Sequence, residues 1–412
     1  MTLTIDRLGH LGDGIARDPT GTQVFIPGAL PGEVVEGSRT GDRIDAPRIL
    51  TPSPDRLKPP CAHARACGGC ALQHARDEFV AGWKQQVVQT ALLAQGVEAV
   101  FRPIITSPPR TRRRATLSAR RTKAGVTLGF HMRGSDQLVG VPGCLLLHPD
   151  LIASFPALEA ITLAGASRKG ELSLTITRSL TGLDIAVTGG KPIDAALQQS
   201  LAALTEAHDI ARLTWDGESI AQRSPPLIAL GQARVPLPPG AFLQATEPGQ
   251  DALLAAVRDA IGSARRVVDL FAGCGTFALP LADRAEVHAV ESDATMLTAL
   301  NAGWRTAVGL RHVSTEVRDL FRNPLLPEDL KKFDAAVVDP PRAGAEAQIR
   351  ALAEARTPVI ASVSCNPVTF ARDAKILLEA GYALDWVQVV DQFRWSPHVE
   401  LVARFFRPHM AR

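Results

Sequence analysis

Hydrophobic residues in the last third of the chain occur in short continuous runs that alternate with longer stretches of helical periodicity. The apolar runs are RRVVDLF, AEVHAVES, FDAAVVDP and TPVIASVSC, and the helical stretches include ATMLTALNAGWR and PVTFARDAKILLEAGY. Strands that are apolar on both faces and alternate with helices are typical of a parallel sheet covered by helices. The pattern therefore predicts an α/β domain over residues 236–412.

The first two-thirds of the chain shows the pattern of β structure instead. Residues 1–53 contain the short β-branched segments TLTID, TQVFIP, GEVVEGS and APRIL, separated by glycine turns, which predict a small β-barrel. A proline-rich linker follows, and DEFVAGWKQQVVQTALLAQ predicts a helix that ends at Gly96. Residues 54–235 are otherwise β-rich with helical inserts, so the chain is predicted to fold as three domains. Their bounds are 1–53, 54–235 and 236–412.

The composition is that of an ordinary globular protein. The 412 residues are 46% hydrophobic and 21% charged, and no apolar stretch approaches the roughly 20 residues that cross a bilayer. The first residues lack the basic-then-apolar pattern of a signal peptide. We therefore expect a cytoplasmic protein that does not bind a membrane, and nothing in the sequence indicates an assembly larger than a monomer.

The basic residues are unevenly distributed, although the net charge of +3 does not by itself indicate a nucleic-acid-binding protein. Eight of them lie close together with no acidic residue among them, and these are Arg110, Arg112, Arg113, Arg114, Arg120, Arg121, Lys123 and Arg133. A segment of this kind forms either a solvated strand face or a phosphate-binding surface.

A strand, a glycine-rich turn and a helix are predicted by VVDLFAGCGTFALPLA. Gly273 and Gly275 permit a tight turn and the close approach of a ligand at the carboxyl end of the strand. Glu291 ends the next apolar run, where a carboxylate can accept hydrogen bonds from ribose hydroxyls. This arrangement fits NAD as well as S-adenosylmethionine (SAM). Asp319 and Asp339, at the ends of the following runs, favour a class I SAM-dependent methyltransferase with a Rossmann-like fold.

The segment SVSCNP places Cys365 between an apolar strand and a helix, at the sheet edge where cofactors bind. Asp339 opens DPPR after the preceding strand, so the two side chains are predicted to lie on neighbouring strand ends. Enzymes that methylate exocyclic amines also use a (D/N)PP motif, but they need no thiol. Carbon 5 of uracil is a weak nucleophile, and a thiolate that adds to carbon 6 creates an enolate that can attack the methyl group. The carbon-5 proton must then be removed, and Glu400 in HVELVARFF is the candidate base.

The motifs DLFAGCGTF, DPPR, SCNP and HVE, in this order and spacing, resemble those of the bacterial RNA (uracil-5-)-methyltransferases. The resemblance implies that Cys365 is the nucleophile and that Glu400 accepts the proton. It also implies a SAM site made by Gln244, Phe271, Thr276, Glu291, Asp319 and Asp339. The chain differs from the family before His398, because it reads FRWSPHVE where the family often reads FPHT-x-HVE.

Cys61, Cys67 and Cys70 form a C-x5-C-x2-C cluster, and Cys144 could supply a fourth thiolate. Such a set favours a metal over disulfides in a reducing compartment, and it suits either a [4Fe–4S] cluster or structural zinc. The members of the resembled family that act on ribosomal RNA have the arrangement CxxxxxCGGC…C, which implies a structural [4Fe–4S] cluster here. Cys274, inside the glycine-rich turn, is expected to pack in the core.

The amino-terminal segment resembles the TRAM domain of RNA-modifying enzymes through IDRLGHLGDGIAR and VFIPGALPGE. Together with the cysteines, the TRAM-like segment implies 23S rRNA as the substrate, because family members that act on tRNA commonly lack both features. A tRNA substrate is the alternative. The basic segment would then contact RNA phosphates. Two other classes remain: an amino-methyltransferase without covalent catalysis, and a non-catalytic iron–sulfur RNA-binding module. The second would not need Gln244, Cys365 and Glu400 together.

Overall fold

The structure, a computed structural model, describes residues 1–408. The amino-terminal strands are β1 (Thr2–Thr4), β2 (Arg7–Leu8), β3 (Gly14–Arg17), β4 (Gln23–Ile26), β5 (Val34–Glu36) and β6 (Arg48–Thr51). They form two antiparallel sheets of order β1-β5-β6 and β2-β3-β4. Leu3, Val24, Ile26 and Val35 from both sheets are buried in one apolar core, which is the arrangement expected of the predicted small barrel.

The middle of the chain contains one large sheet flanked by helices. Its elements are α1 (Asp77–Leu93), β7 (Ile105–Thr106), β8 (Arg114–Thr122), β9 (Gly125–His131), β10 (Leu138–Gly140), α2 (Pro149–Ala153), α3 (Phe155–Gly165), β11 (Glu171–Ser179), β12 (Gly182–Thr188), α4 (Ala195–Ala207), β13 (Ile210–Trp215), β14 (Glu218–Gln222), β15 (Leu227–Leu230) and β16 (Ala233–Pro236). Seven strands form the order β10-β9-β8-β11-β12-β13-β14, in which only β12 and β13 pair in parallel. The alternating buried positions of β8 and β11 pack against α3. The predicted helix before Gly96 is confirmed as α1.

The last third contains the α/β domain that the sequence predicts. Its elements are α5 (Glu247–Ile261), β17 (Arg266–Leu270), α6 (Ala278–Leu281), β18 (Glu286–Glu291), α7 (Ala294–Thr306), β19 (Val313–Val317), α8 (Pro327–Leu330), β20 (Ala335–Val338), α9 (Glu346–Ala355), β21 (Val359–Ser364), α10 (Pro367–Glu379), β22 (Ala383–Asp391) and β23 (Glu400–Phe406). The sheet order is β19-β18-β17-β20-β21-β23-β22-β7. The first five of these strands are parallel, and they are buried between helices on both faces.

The other edge of this sheet differs from the parallel arrangement predicted. Strand β23 runs antiparallel to β21 and β22, and the edge strand β7 comes from the middle of the chain. The reason is the connection from β22 to β23, residues 392–399, which is too short for the crossover that two parallel neighbouring strands require. This antiparallel pair carries Glu400 to the same end of the sheet as Cys365.

The hairpin of β15 and β16 packs into the core of the last third. Ile228, Leu230 and Val235 are buried together with Leu253 of α5 and Leu300 of α7. The two predicted boundaries between the three domains stay a prediction, and this hairpin lies at the second of them. Within residues 1–408, no helix has the length and apolar character required to cross a membrane.

Candidate active site

One cavity of about 1160 Å³ opens along the carboxyl ends of the parallel strands and extends to the cysteine segment. Its walls include every residue that the sequence analysis selected for the site: Cys61, Cys67, Cys70, Cys144, Gln244, Phe271, Thr276, Glu291, Asp319, Asp339, Cys365 and Glu400. The fold thus brings together residues from the cysteine segment, the glycine-rich turn and the last two strands. Their individual roles remain predictions at this point.

Cys365 lies in the turn between β21 and α10. The side chain of Asn366 caps this helix by accepting the Val368 N–H (3.1 Å), and Pro367 occupies the first helical position, where no N–H is needed. The same Asn366 side chain donates to the Arg342 carbonyl at 2.8 Å. The SCNP turn is therefore tied directly to the DPPR segment.

Glu400 faces the turn that carries the thiol. Strands β21 and β23 pair with Ser364 opposite Leu401, and continuing this register by one residue places Cys365 opposite Glu400. Asp339 follows β20 on the other side of β21, where Val338 pairs with Ser362. The predicted juxtaposition of Asp339 and Cys365 on neighbouring strand ends is confirmed.

Burial raises the pKa of all three ionisable groups, and neighbouring charges add to the effect at Cys365 and Glu400. Burial, followed by the charges of Glu400 and Asp339, raises the pKa of the Cys365 thiol to about 11, against the opposing effect of Arg342. Burial and then Asp339 raise the pKa of Glu400, which is 6% exposed, well above its ordinary value. Burial raises the pKa of Asp339 to about 7. The thiol is therefore protonated at neutral pH, and Glu400 is a stronger proton acceptor than an ordinary carboxylate.

Arg342 and His398 border the cavity beside these groups. The Arg342 Nη2 donates to His398 Nδ1 at 2.9 Å. Burial, followed by the charges of Arg342, Lys84 and Arg112, lowers the pKa of His398. The imidazole therefore stays neutral at physiological pH, and its Nδ1 is the acceptor because a guanidinium can only donate.

The glycine-rich turn and the end of β18 form the other wall of the cavity. Glu291 accepts the Gly273 N–H at 3.0 Å through one oxygen and the Ser292 N–H at 2.7 Å through the other. Gly275 has a φ of +95°, and a Cβ there would lie 2.9 Å from side-chain atoms of both Leu279 and Leu300. Only glycine fits this position. The Ser292 hydroxyl and the Asp293 N–H also donate to Glu291 Oε1, so the carboxylate is held rigidly and Oε2 keeps a lone pair for a ribose hydroxyl.

Gln244 is fixed by a partner that sequence reasoning did not find. Its buried side chain accepts from Gln392 Nε2 at 2.5 Å, and Gln392 Oε1 in turn accepts the Ala245 N–H at 2.9 Å. Nothing in the sequence around Gln392 marks it as a partner of Gln244, because the contact joins positions 148 residues apart.

Asp269 of β17 is fully buried, and neither of its carboxylate oxygens has a hydrogen-bond partner within residues 1–408.

Part of the predicted phosphate-binding segment is structural. Arg113 is 3% exposed and donates to the Gln244 carbonyl and to Gln250, while Arg114 donates to the carbonyls of Gly240 and Ala241. A buried guanidinium cannot reach an RNA phosphate, so this part of the prediction is wrong for Arg113. The exposed or half-buried members, which include Arg110, Arg121 and Lys123, remain candidates.

The four cysteines of the predicted cluster line one end of the cavity. Burial is the main reason that the pKa of the Cys67 thiol is raised and that the pKa of the Cys70 thiol reaches about 12. The charges of the neighbouring cysteines also raise both pKa values. The Gly69 N–H points at Cys67 Sγ, 3.4 Å away. Among residues 1–408, however, no three His, Cys, Asp or Glu side chains are spaced to hold a metal ion. Cys274 is buried in the core, as expected.

Comparisons with known proteins agree on one family. The model for the tRNA (uracil-5-)-methyltransferases matches residues 239–404, and the TRAM domain model matches residues 1–36. An uncharacterized RNA methyltransferase of Brucella suis is 44% identical over 401 residues, covering 97% of this chain and 96% of the relative. The 23S rRNA (uracil(1939)-C(5))-methyltransferase RlmD of Shewanella amazonensis is 34% identical over 427 residues, covering 98% of this chain and 95% of the relative.

A solved structure supports the fold. The Pyrococcus abyssi tRNA (uracil-54, C5)-methyltransferase, determined with S-adenosyl-L-homocysteine, superimposes with a TM-score of 0.77 at 23% identity. The match covers 98% of this chain and 99% of that chain. The predicted combination of a class I methyltransferase domain with an amino-terminal TRAM domain is therefore confirmed.

Proposed function

Because this chain belongs to the RNA (uracil-5-)-methyltransferase family, we propose that it methylates uridine in 23S rRNA through a covalent intermediate on Cys365. Membership of this family means that the chain is an enzyme that methylates carbon 5 of uracil in RNA with SAM. The ribosomal substrate is supported by the relative that acts on 23S rRNA. The TRAM match does not choose between the substrates, because the solved tRNA methyltransferase covers 98% of this chain. A tRNA substrate is the alternative.

The observation that carries the covalent mechanism is the position of Cys365 opposite Glu400 at one end of the sheet. An enzyme that methylates an exocyclic amine has no use for a thiol facing a buried carboxyl group. Carbon 5 of uracil needs both, because a nucleophile must activate the ring and a base must later remove the carbon-5 proton. Asp339, whose pKa of about 7 allows it to donate or accept, borders the same space.

The steps follow from these groups. Cys365 passes its proton to the carboxylate of Asp339 as its sulfur bonds to carbon 6, so that the electron pair of the 5,6 double bond moves into the carbonyl at carbon 4. SAM, when bound, would supply an electrophilic methyl group: as carbon 5 bonds to the methyl carbon, the bond from that carbon to the sulfonium sulfur would break and S-adenosyl-L-homocysteine would leave. Glu400 then takes the proton from carbon 5, the double bond re-forms and the bond between sulfur and carbon 6 breaks. The raised pKa of Glu400 favours this proton transfer.

The residues present fit SAM. Glu291 keeps an unshared lone pair on Oε2, Gly273 lines the cavity without a side chain, and Gln244 is held in place by Gln392. Phe271, with a φ of +64°, directs its ring toward Phe321, with the two ring centroids 5.3 Å apart. We propose that these residues, together with Thr276, Asp319 and Asp339, form the SAM site. Backbone strain of this kind is common at ligand sites.

Nucleoside mass spectrometry tests the proposed substrate. Unmodified 23S rRNA and bulk tRNA are each incubated with the purified enzyme and SAM, and we expect 5-methyluridine in the rRNA only. Methylation of tRNA alone would keep the chemistry and overturn the choice of substrate. A methylated exocyclic amine would overturn the carbon-5 reaction itself.

We further propose that Cys61, Cys67, Cys70 and Cys144 hold a [4Fe–4S] cluster with a structural role. Four thiols at one end of the cavity are donors of the right chemical kind, although in this structure they are not spaced to hold a metal ion, and the Gly69 N–H beside Cys67 would stabilise a thiolate. Buried thiols with raised pKa values do not ionise alone, and a bound metal centre would remove their protons. The cluster would supply no electron to the methyl transfer, because that reaction is not a redox reaction.

Enzyme purified without oxygen is expected to contain about four iron and four sulfide per chain, as a [4Fe–4S] cluster requires. The Cys67→Ser variant should lose this iron and become sensitive to proteolysis between residues 61 and 144, because the ligand set would be incomplete. Elemental analysis and limited proteolysis measure both effects, with Cys274→Ala as the control that keeps its iron. Stoichiometric zinc in an iron-free protein would contradict the assignment.

A further inference from the structure

We propose that Asp77 is a positioning residue for the catalytic loop, defined here as residues 392–399 between β22 and β23. The inference rests on the proposed function, because this loop carries His398 and leads directly into Glu400. Phe393, Ser396 and Pro397 of the loop line the cavity. Whatever fixes the loop therefore fixes the base against the uracil.

Asp77 lies in the first turn of α1 and holds two consecutive loop residues. One carboxylate oxygen accepts from Arg394 Nη2, and the other accepts from Trp395 Nε1 at 3.0 Å. The Arg394 guanidinium also lies over the Trp395 ring, 5.2 Å from its centroid. Charge-assisted hydrogen bonds from two neighbouring side chains to one carboxylate fix the direction of both.

The backbone of the loop needs such support. Trp395 has a φ of +59°, a conformation that bulky residues rarely adopt, and its side chain is 7% exposed. A residue persists in this region only where its surroundings determine it. Its indole N–H is bonded to Asp77, and its carbonyl accepts the N–H groups of Ala71 and Leu72, each at 2.9 Å.

A second contact from α1 holds the start of the loop. Lys84, which is fully buried, donates to Asp391 at 2.5 Å and to the Phe393 carbonyl at 3.0 Å. All these supports come from residues 71–84, whereas the methyltransferase family model matches only residues 239–404. Two of the residues that they hold, Arg394 and Trp395, are positions at which the chain differs from the family pattern. The middle of the chain therefore completes the active site as well as carrying the cysteines.

Asp77 is the better position for a test. Replacing Lys84 would leave the buried carboxylate of Asp391 unpaired, and the variant could fail to fold. The Asp77 side chain is about half exposed, at 46%. Glu78 offers a matched control, because it is the other acidic residue in the first turn of α1, and within the described residues its side chain makes no hydrogen bond or ion pair.

The experiment compares Asp77→Ala with Glu78→Ala. We expect Asp77→Ala to lower kcat by about 10- to 100-fold, because a small displacement of a catalytic group has an effect of this size. SAM affinity should change less than about twofold, because Asp77 holds Arg394 and Trp395 and makes no contact with Gln392, the loop residue that fixes Gln244 of the SAM site. Covalent enzyme–RNA adduct should accumulate during turnover, because removal of the carbon-5 proton has become slow. Glu78→Ala should behave as the unaltered enzyme, and Trp395→Phe should shift kcat in the same direction as Asp77→Ala.

Two results would overturn the proposal. One is unchanged turnover in Asp77→Ala, and the other is a parallel loss of SAM affinity and thermal stability without adduct. A Glu400→Gln variant measured alongside distinguishes a failure of the proposed covalent function from a failure of the positioning role of Asp77. If it traps no adduct, the proposed covalent function fails, and the role of Asp77 fails with it. If it traps adduct and Asp77→Ala does not, only the positioning role fails.

Discussion

Replacing Cys365 by alanine should abolish methyl transfer to RNA and leave SAM binding intact. The thiol is the group that would activate the uracil ring, and loss of a catalytic nucleophile reduces turnover by at least about 10⁴-fold. The proposed SAM residues lie mainly on the glycine-rich turn and at the ends of β18 and β19, away from the SCNP turn. Transfer of labelled methyl groups measures the first effect, and calorimetric titration with SAM measures the second.

Cys274→Ala is the matched control for this experiment. Cys274 also borders the cavity, but it is 1% exposed and packs in the core. This variant should therefore methylate RNA, with at most a modest loss of stability. Normal turnover by Cys365→Ala would show that the nucleophile is wrongly assigned.

The Glu400→Gln variant is expected to stop the reaction one step later. Glutamine keeps the shape and hydrogen bonding of the side chain but cannot accept a proton, so the methylated uracil should stay bonded to Cys365. Turnover should fall by about 10²- to 10⁴-fold, the usual contribution of a general base. The enzyme should then migrate with its RNA on a denaturing gel.

A double variant controls for non-specific trapping. Cys365→Ala combined with Glu400→Gln should give no adduct, because the bond to carbon 6 cannot form. Release of methylated RNA by Glu400→Gln at the rate of the unaltered enzyme would show that another group removes the proton.

The sequence predicts the site well where functional residues follow strands of a parallel sheet. The carboxyl ends of such strands meet at one edge, so Glu291, Asp319, Asp339 and Cys365 could be placed together from their positions after apolar runs. Glu400 was found through the HVE motif and not through periodicity. The antiparallel β22–β23 pair then explains how a residue at the start of a strand reaches that edge.

Contacts between distant parts of the chain could not be predicted. Lys84 and Asp391 are 307 residues apart, and Gln244 and Gln392 are 148 apart. One signal was available for Lys84, since it lies on the buried face of α1 with Val80 and Val88, where an unpaired charge would be unfavourable. Its partner could not be read from the sequence, because the partner depends on how the middle of the chain packs against the last strands.

The most direct test of the covalent mechanism is peptide mapping of the adduct trapped by Glu400→Gln. After digestion with protease and nuclease, mass spectrometry identifies the peptide that carries the nucleotide. We predict a methylated uridine attached to the peptide that contains Cys365. A nucleotide attached to another residue, or the absence of any adduct from a variant that still methylates RNA, would contradict the account.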